Sequence, residues 1–398
     1  MTTPKLADSA TMISGIRRPY ASQGSLIRRD VADKIFMLDP SADPFIVMTS
    51  QLKKKKAIAS KIEWFTDVLN PMWDQVNCLA GYAAGDVAIV VDNGSYWNAY
   101  DLAKNMRSGE IMLVSTTPAA NTLTVVRGYG TTAAAAISDN DWLRRLPNAL
   151  DDGIDTLPGA KSTISTQLYN YLQEFSYPVK ISRRDKNTEV YTEDDELYQL
   201  RKAGIESNRM IESQCIYGEP YMDVGAKDTS ANERYLTGGL FYYCTSNQAL
   251  INGKLSESAL ISWLRDVFTH NSSPGRTRVL FASPLLNSCI SEFAGNKLIT
   301  VEEDQIFGIA IRQYKCAHGT VKIVEEPLLE GDYYGGSGFA VDMSELEFRY
   351  LQNMDMHLDK NIQNKQSHNY LHEYTGTLGI TFGNVSHHGT IMGVTGPA

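Results

Sequence analysis

No uninterrupted apolar run in this 398-residue chain approaches the roughly 20 residues that a membrane helix needs. The longest clear one, Val87 to Val91, has the length of a strand. Met1 to Met12 carries Pro4, Lys5 and Asp8 where a signal peptide would need an apolar stretch. The expectation is a soluble, non-secreted protein with no membrane partner. Cysteine pairing has no pattern either: Cys78, Cys215, Cys244, Cys289 and Cys316 are odd in number and show no Cys-x-x-Cys spacing, which argues for reduced thiols rather than a disulfide framework. A basic balance is lacking too. With 37 Lys and Arg against 46 Asp and Glu, the net charge of −9 cannot hold a nucleic acid backbone through bulk charge. The hydrophobic fraction of 43% is too high for a disordered polymer and allows two or three domains.

Signatures of chemistry are equally scarce. The glycine clusters GYGTT (128–132) and YGGSGF (334–339) lack the Lys-Ser/Thr pair of a phosphate-binding loop. The second also lacks the glycine two places after Ser337 that a nucleophile elbow requires. His368 and His372, with Glu373, His387 and His388 nearby, form the best metal candidate, yet Asn369 stands where a zinc-protease helix places glutamate and the surrounding sequence is strand-like. These histidines read as polar residues of an exposed sheet or interface. The expectation is no catalytic residue, no metal and no cofactor.

Charge is unevenly distributed. Residues 1–61 hold eleven Lys and Arg against five acids, a net of +6, so the rest of the chain carries −15. Arg17, Arg18, Arg28, Arg29, Lys53, Lys54, Lys55 and Lys56 dominate this segment, and Pro4, Pro19, Pro40 and Pro44 interrupt any period. It reads as an extended arm that lies on an acidic neighbour, and its removal up to residue 56 is expected to leave a folded subunit that assembles poorly. GDVAIVV (85–91), EIMLVSTT (110–117) and TLTVVRG (122–128) alternate and end in turn residues, which predicts a small antiparallel β unit over 81–147. YNYLQEFSYPVKISRR follows within 163–190, with Tyr169, Tyr171, Phe175 and Tyr177, and suits an extended excursion with exposed edges.

A helix of about 25 residues is predicted after Thr192, with Glu193, Asp194, Asp195 and Glu196 at its positive end and Gly218 as its stop. Leu197, Leu200, Gly204, Ile211 and Cys215 share one stripe, and Gly204 is expected to face a sheet. Beyond Gly225 come an amphipathic helix with Leu260, Trp263, Leu264, Val267 and Phe268, the strand TRVLFA (277–282), a helix capped by Ser283 and ended by Gly295, and strands near 306–314, 320–324 and 338–342. The fold class is α+β.

In order, KIEWFTDVL (61–69), LTVVRGYGTTAAAA (123–136), YNYLQEFSYPVKIS (169–182), YGEP (217–220), RVLFASPLLNSCISEF (278–293), GFAVDMSELEF (338–348) and GTLGITFGNVSHHGTIMG (376–393) resemble the tailed-phage major capsid proteins of the Johnson (Hong Kong ninety-seven) fold, in a branch with an added β domain. The resemblance implies an N-arm (1–60), a segment leading into the peripheral domain (61–80), the inserted β domain (81–147), an E-loop (148–191) and a peripheral domain with its spine helix (192–224). An axial domain with parts of the peripheral sheet (225–345) and peripheral strands with the C-terminus (346–398) complete it. It also implies a virion shell protein, assembled in the host cytoplasm, whose partners are other copies of itself in hexamers and pentamers. Portal, scaffolding and decoration proteins are further partners, and the shell encloses DNA without sequence-specific binding. An encapsulin-like shell or another virion structural protein is the alternative. The basic arm residues and the four aromatic residues 169, 171, 175 and 177 are the candidate assembly residues.

Overall fold

The computed structural model describes residues 44–46, 54–150, 152–154, 159–188, 195–224, 232–270, 276–295, 304–306 and 309–397. Arg17, Arg18, Arg28, Arg29 and Lys53 lie outside them, as does the Thr192 cap. The chain divides into two compact units, one of residues Met1–Ile62 with Tyr169–Ala398 and one of Glu63–Leu168.

In the smaller unit, strands Trp73–Gln75, Trp142–Leu146, Leu102–Asn105, Ile111–Val114, Thr122–Val126 and Ala88–Val90 lie in that spatial order, all antiparallel. Just beyond the two outer strands, Val76 and Val91 bridge the ends. The Asp92 N–H donates to the Gln75 carbonyl and the Asn77 N–H to that of Val90, both at 2.9 Å. The sheet therefore closes into a small barrel, which removes the open edges that invite unwanted pairing. Inward positions alternate as a strand requires, and Ile89, Ala103, Met112, Val114, Leu123, Val125 and Leu143 pack with Trp97 in one buried cluster. The division differs from the expected 81–147. Trp73–Gln75 lies before residue 81 yet pairs with Trp142–Leu146, and a three-residue strand is too short to show a period.

The RGYG turn that follows Thr122–Val126 is built around a buried ion pair. Arg127 Nε and Nη2 meet Glu110 Oε1 and Oε2 at 2.8 and 2.9 Å, with both side chains buried. Glu110 also accepts the N–H groups of Gly128 (2.9 Å) and Ala135 (3.0 Å), and Arg127 Nη1 donates to the carbonyls of Ala83 and Asp86. Burial alone pushes the Glu110 carboxyl up. The hydrogen bonds from Arg127, Ala135 and Gly128 outweigh it, so the group sits below its usual range. Gly128 and Gly130 adopt left-handed φ of 58° and 76°, which explains the glycines of this motif.

The larger unit contains two main sheets. In the first, Lys54–Ala57, Glu347–Leu351, Asn369–Thr381 and Gln173–Ser182 are adjacent in that order, and His357–Asp359 also pairs with Asn369–Thr381. Gln173–Ser182 was expected as an excursion with exposed edges. Instead it pairs antiparallel over ten residues with Asn369–Thr381, and only its other edge ends the sheet. The partner strand lies almost two hundred residues downstream, a separation that local pattern does not reveal.

The long helix Asp195–Tyr217 packs on this sheet: Tyr374 Oη donates to the Leu200 carbonyl at 3.0 Å, and the Tyr177 hydroxyl bonds Glu206. Leu200, Ile211 and Cys215 are buried as the stripe requires, whereas Leu197 is exposed. It lies in the first turn, where its neighbour Glu196 rather than Leu197 meets the sheet, 3.3 Å from His372. Gly204 does face the sheet. A Cβ added there would meet Tyr374 Oη at 3.2 Å and Cζ at 3.3 Å, so alanine already forces the ring to shift. Gly204→Leu is expected to lower stability by about 1–3 kcal/mol more than Gly204→Ala through overpacking. Thermal unfolding of the two variants decides this, and equal midpoints would contradict the close packing.

The second sheet runs Gln248–Leu255, Gly389–Pro397, Gly338–Val341, Thr277–Ala282, Gly319–Glu325, Ile309–Cys316 and Asp304–Ile306. Helices Glu257–Val267 and Pro284–Gly295 cover one apolar cluster with it, through Leu260, Trp263, Leu264, Val267, Leu286 and Ile290. Ser256 Oγ accepts the Ala259 N–H, and Ser283 Oγ that of Leu286, as N-caps do. The expected grouping of 346–398 differs here. Glu347–Leu351, His357–Asp359 and Asn369–Thr381 belong to the first sheet, but Gly389–Pro397 crosses into the second between Gln248–Leu255 and Gly338–Val341.

Described parts of the N-terminal segment also depart from a free arm. Phe45 is fully buried, its N–H donates to the buried Glu212 Oε1 of the long helix at 2.7 Å, and its ring meets Phe281 edge-on at 5.1 Å. Lys54–Ala57 adds a parallel strand beside Glu347–Leu351. Both contacts lie within the chain's own larger unit. Apolar residues at 45, 46 and 57 supply the burial that the lysine run between them hides from a charge-based reading.

Candidate functional site

The basic run sits on the edge strand Lys54–Ala57, with Lys54, Lys55 and Lys56 exposed. Lys54 Nζ lies 3.2 Å from Asp355 and Lys55 Nζ 3.7 Å from Glu347, so these two cations first satisfy acids of their own subunit. At such exposure each pair contributes only about 0–1 kcal/mol, so a neighbour's carboxylate competes for them easily. Charged residues on an edge also hinder unplanned strand addition.

Of the four aromatic residues, Tyr169 is exposed, and it stacks edge-on with Tyr171 at 5.6 Å beneath the Lys61 ammonium, 4.7 Å from its ring. Tyr171 also meets Tyr235 at 5.9 Å, and Phe175 is half-buried on the sheet. Tyr177 does not belong with them. Its hydroxyl is bound by Glu206, whose hydrogen bond, with burial, raises the phenol's pKa, so it fastens helix to sheet.

The sequence reading missed a group of strongly exposed apolar residues. Lys61–Thr66 pairs with Thr166–Tyr171 as a two-stranded ribbon. Around it, Phe65 is 68%, Ile164 89% and Leu69 94% exposed, with Val68 and Met72 also open. A usable signal existed in KIEWFTDVL, where apolar residues fall on both faces of an alternating strand although only one can point to the strand's own core.

Of the four histidines, His372 and His388 are buried where the sequence suggests exposure, His387 is half-buried, and His368 is exposed as expected. His372 Nδ1 accepts the Asn361 N–H at 3.3 Å and its Nε2 lies 3.3 Å from Glu196. Among the described residues no group of three or more His, Cys, Asp and Glu is arranged to hold a metal. His388 occupies the junction where the chain passes from one sheet to the other. Its Nδ1 accepts the Asp342 N–H at 3.2 Å and its Nε2 donates to the Phe382 carbonyl at 2.7 Å, the arrangement of a neutral ring. Beside it, the buried Arg278 Nη1 meets Asp342 Oδ2 at 2.7 Å, and His387 Nδ1 lies 3.0 Å from Glu345.

Burial pushes the His388 imidazole down to about 4, against the opposing pull of the Phe382 carbonyl, Glu345 and Asp342. Below an ordinary pKa of about 6.5 the unfolded chain takes up a proton that the folded chain refuses. This contribution to stability is therefore complete above pH ~6.5, declines as pH falls and levels off near pH ~4, a loss of roughly 3 kcal/mol. Urea midpoints from pH 7.5 down to pH 4.5 are expected to fall more steeply for the natural chain than for His388→Gln. Parallel profiles would show that His388 does not titrate in this way.

Residues 13–395 match the family described as SU10 major capsid protein. The chain belongs to that family. This agrees with the resemblance to tailed-phage major capsid proteins of the Johnson fold, and it makes the capsid protein a structural head-shell protein. No curated protein matches it. Among solved structures, a chain from the capsid of an empty GTA particle is 9% identical, covers 96% of this capsid protein and 100% of its own length, and has a TM-score of 0.48. One from Microbacterium phage Oxtober96 is 10% identical, over 94% and 98% of the two chains, with a TM-score of 0.46. One from the encapsulin complex of Synechococcus elongatus is 11% identical, over 58% and 78%, with a TM-score of 0.43.

Proposed function

We propose that this major capsid protein assembles with copies of itself, as hexamers and pentamers, into a closed icosahedral shell in the host cytoplasm. The shell encloses packaged double-stranded DNA without reading its sequence. The observation that carries the reading is the exposed apolar flank of the ribbon: Phe65, Val68, Leu69 and Ile164 stand in water in the single chain, and a neighbouring copy would cover them. The ribbon supports an E-loop role for the part of 148–191 that contains Thr166–Tyr171, with Lys61–Thr66 as its second strand. Lys54 to Lys56 and Tyr169, which are exposed, and Tyr171 beside Tyr169 are assembly residues in this reading, and the basic residues 17, 18, 28, 29 and 53 join them on their sequence charge alone. Portal, scaffolding and decoration proteins complete the set of partners. A net charge of −9 suits a wall that must not hold the enclosed DNA tightly. The protein carries out no catalytic step in this role.

Electron microscopy and light scattering of the purified chain over a concentration series test the proposal. Rings or shells are the expected products. A species that stays monomeric at high concentration in physiological salt would overturn it.

A further inference from the structure

The barrel unit is acidic, with twelve Asp and Glu against six Lys and Arg, but its charges are sorted. Three acids of the barrel are buried and held by donors of the same unit: Asp74 accepts the Trp97 indole N–H at 2.8 Å, Glu110 binds Arg127, and Asp141 binds Arg107 at 2.7 Å. The outward positions of the wall strands carry no acid; they are apolar, cationic or, at Gln75, Thr122 and Thr124, neutral polar. In one row across four strands, Trp73 stands opposite Arg144, Arg144 opposite Lys104 and Lys104 opposite Ile111. Trp142 lies one outward step from Arg144 on the same strand and meets Trp73 edge-on at 6.2 Å, and the Arg144 guanidinium covers the Trp73 ring at 4.5 Å. Both tryptophans are about half exposed.

Two features of this wall point to an occupant. Lys104 and Arg144 are directly opposed like charges, an arrangement that destabilises a strand pair, and neither has a carboxylate partner among the described residues. Exposed tryptophan and arginine side by side are also the residue types that dominate binding energy at protein interfaces. We infer that this face of the barrel, centred on Trp73, Trp142, Arg144 and Lys104, docks against an acidic surface of a second copy of the chain. The second copy supplies the matching charge, since its residues 169–398 carry twenty Lys and Arg against twenty-nine Asp and Glu. The inference rests on the shell-forming reading and adds a contact separate from the ribbon.

The experiment compares the full-length natural chain with Lys104→Glu and with Trp142→Ser, measuring the concentration at which assembly begins and the thermal midpoint of the dissociated chain. Lys104→Glu places a carboxylate opposite Arg144 and should hold or raise the midpoint, yet it should raise the assembly concentration about tenfold. Trp142→Ser should weaken assembly while leaving the circular dichroism spectrum unchanged. A fall in midpoint and assembly together for Lys104→Glu would mean a merely structural row and overturn the inference. So would assembly of both variants at the natural concentration, the result expected if another protein covers this face. Failure of the natural chain to assemble would instead count against the shell reading itself.

Discussion

Arg127→Ala is expected to destabilise the barrel unit by on the order of 3–5 kcal/mol, because it strips a bidentate partner from a carboxylate that stays buried. Glu110 is fully covered, and the N–H groups of Gly128 and Ala135 remain aimed at it, so the anion can neither reach water nor protonate without loss. The carbonyls of Ala83 and Asp86, which Arg127 ties to the turn, lose their donor as well. Against a typical domain stability of about 5–15 kcal/mol, this is a large share. Arg127→Lys should recover only part of it, since an ammonium cannot reproduce two parallel hydrogen bonds. Urea unfolding followed by tryptophan fluorescence is a suitable readout, because four of the five tryptophans lie in this unit. A loss below about 1 kcal/mol, the scale of an exposed pair, would show that the turn holds without its ion pair.

Removal of residues 1–43 and removal of residues 1–56 should give different proteins. The shorter deletion leaves Phe45 between Glu212 and Phe281, and the strand Lys54–Ala57 beside Glu347–Leu351. The longer one deletes both. Loss of a buried phenylalanine alone costs about 3–5 kcal/mol, and for a unit of 150–250 residues each kcal/mol lowers the melting temperature by roughly 2–4 °C. The longer truncation should therefore melt on the order of 6–20 °C lower, and Phe45→Ala in the full chain should reproduce much of that drop. The expectation that the chain from residue 57 onward folds undisturbed is thus revised, because part of the segment completes the core of its own subunit. Equal melting temperatures for the two truncations would restore the view of a free arm.

Local patterns in the sequence were enough for the elements whose signals are local. The strand TRVLFA, the helices capped by Ser256 and Ser283, the long helix with Leu200, Ile211 and Cys215 inward, and the glycines of the RGYG turn all depend on neighbours within a few residues. Those neighbours are present in any short window of sequence. The ordered motifs together also pointed to the capsid family that the match over 13–395 then showed.

What the tertiary structure decided was partnership over distance. Gln173–Ser182 alternates like an exposed ribbon and becomes part of a sheet only because Asn369–Thr381 lies beside it. Phe45 is one aromatic residue in a basic segment until Glu212 accepts its N–H and Phe281 packs on its ring. His388 looks like a surface histidine, and becomes a buried neutral one where two sheets meet. The barrel closes through Val76 and Val91, fifteen residues apart and each unremarkable alone. Hydrogen bonding and burial belong to pairs of segments, and which pairs form is set by the whole packed chain; alternation in one segment records only that it has two faces, not what will cover either of them.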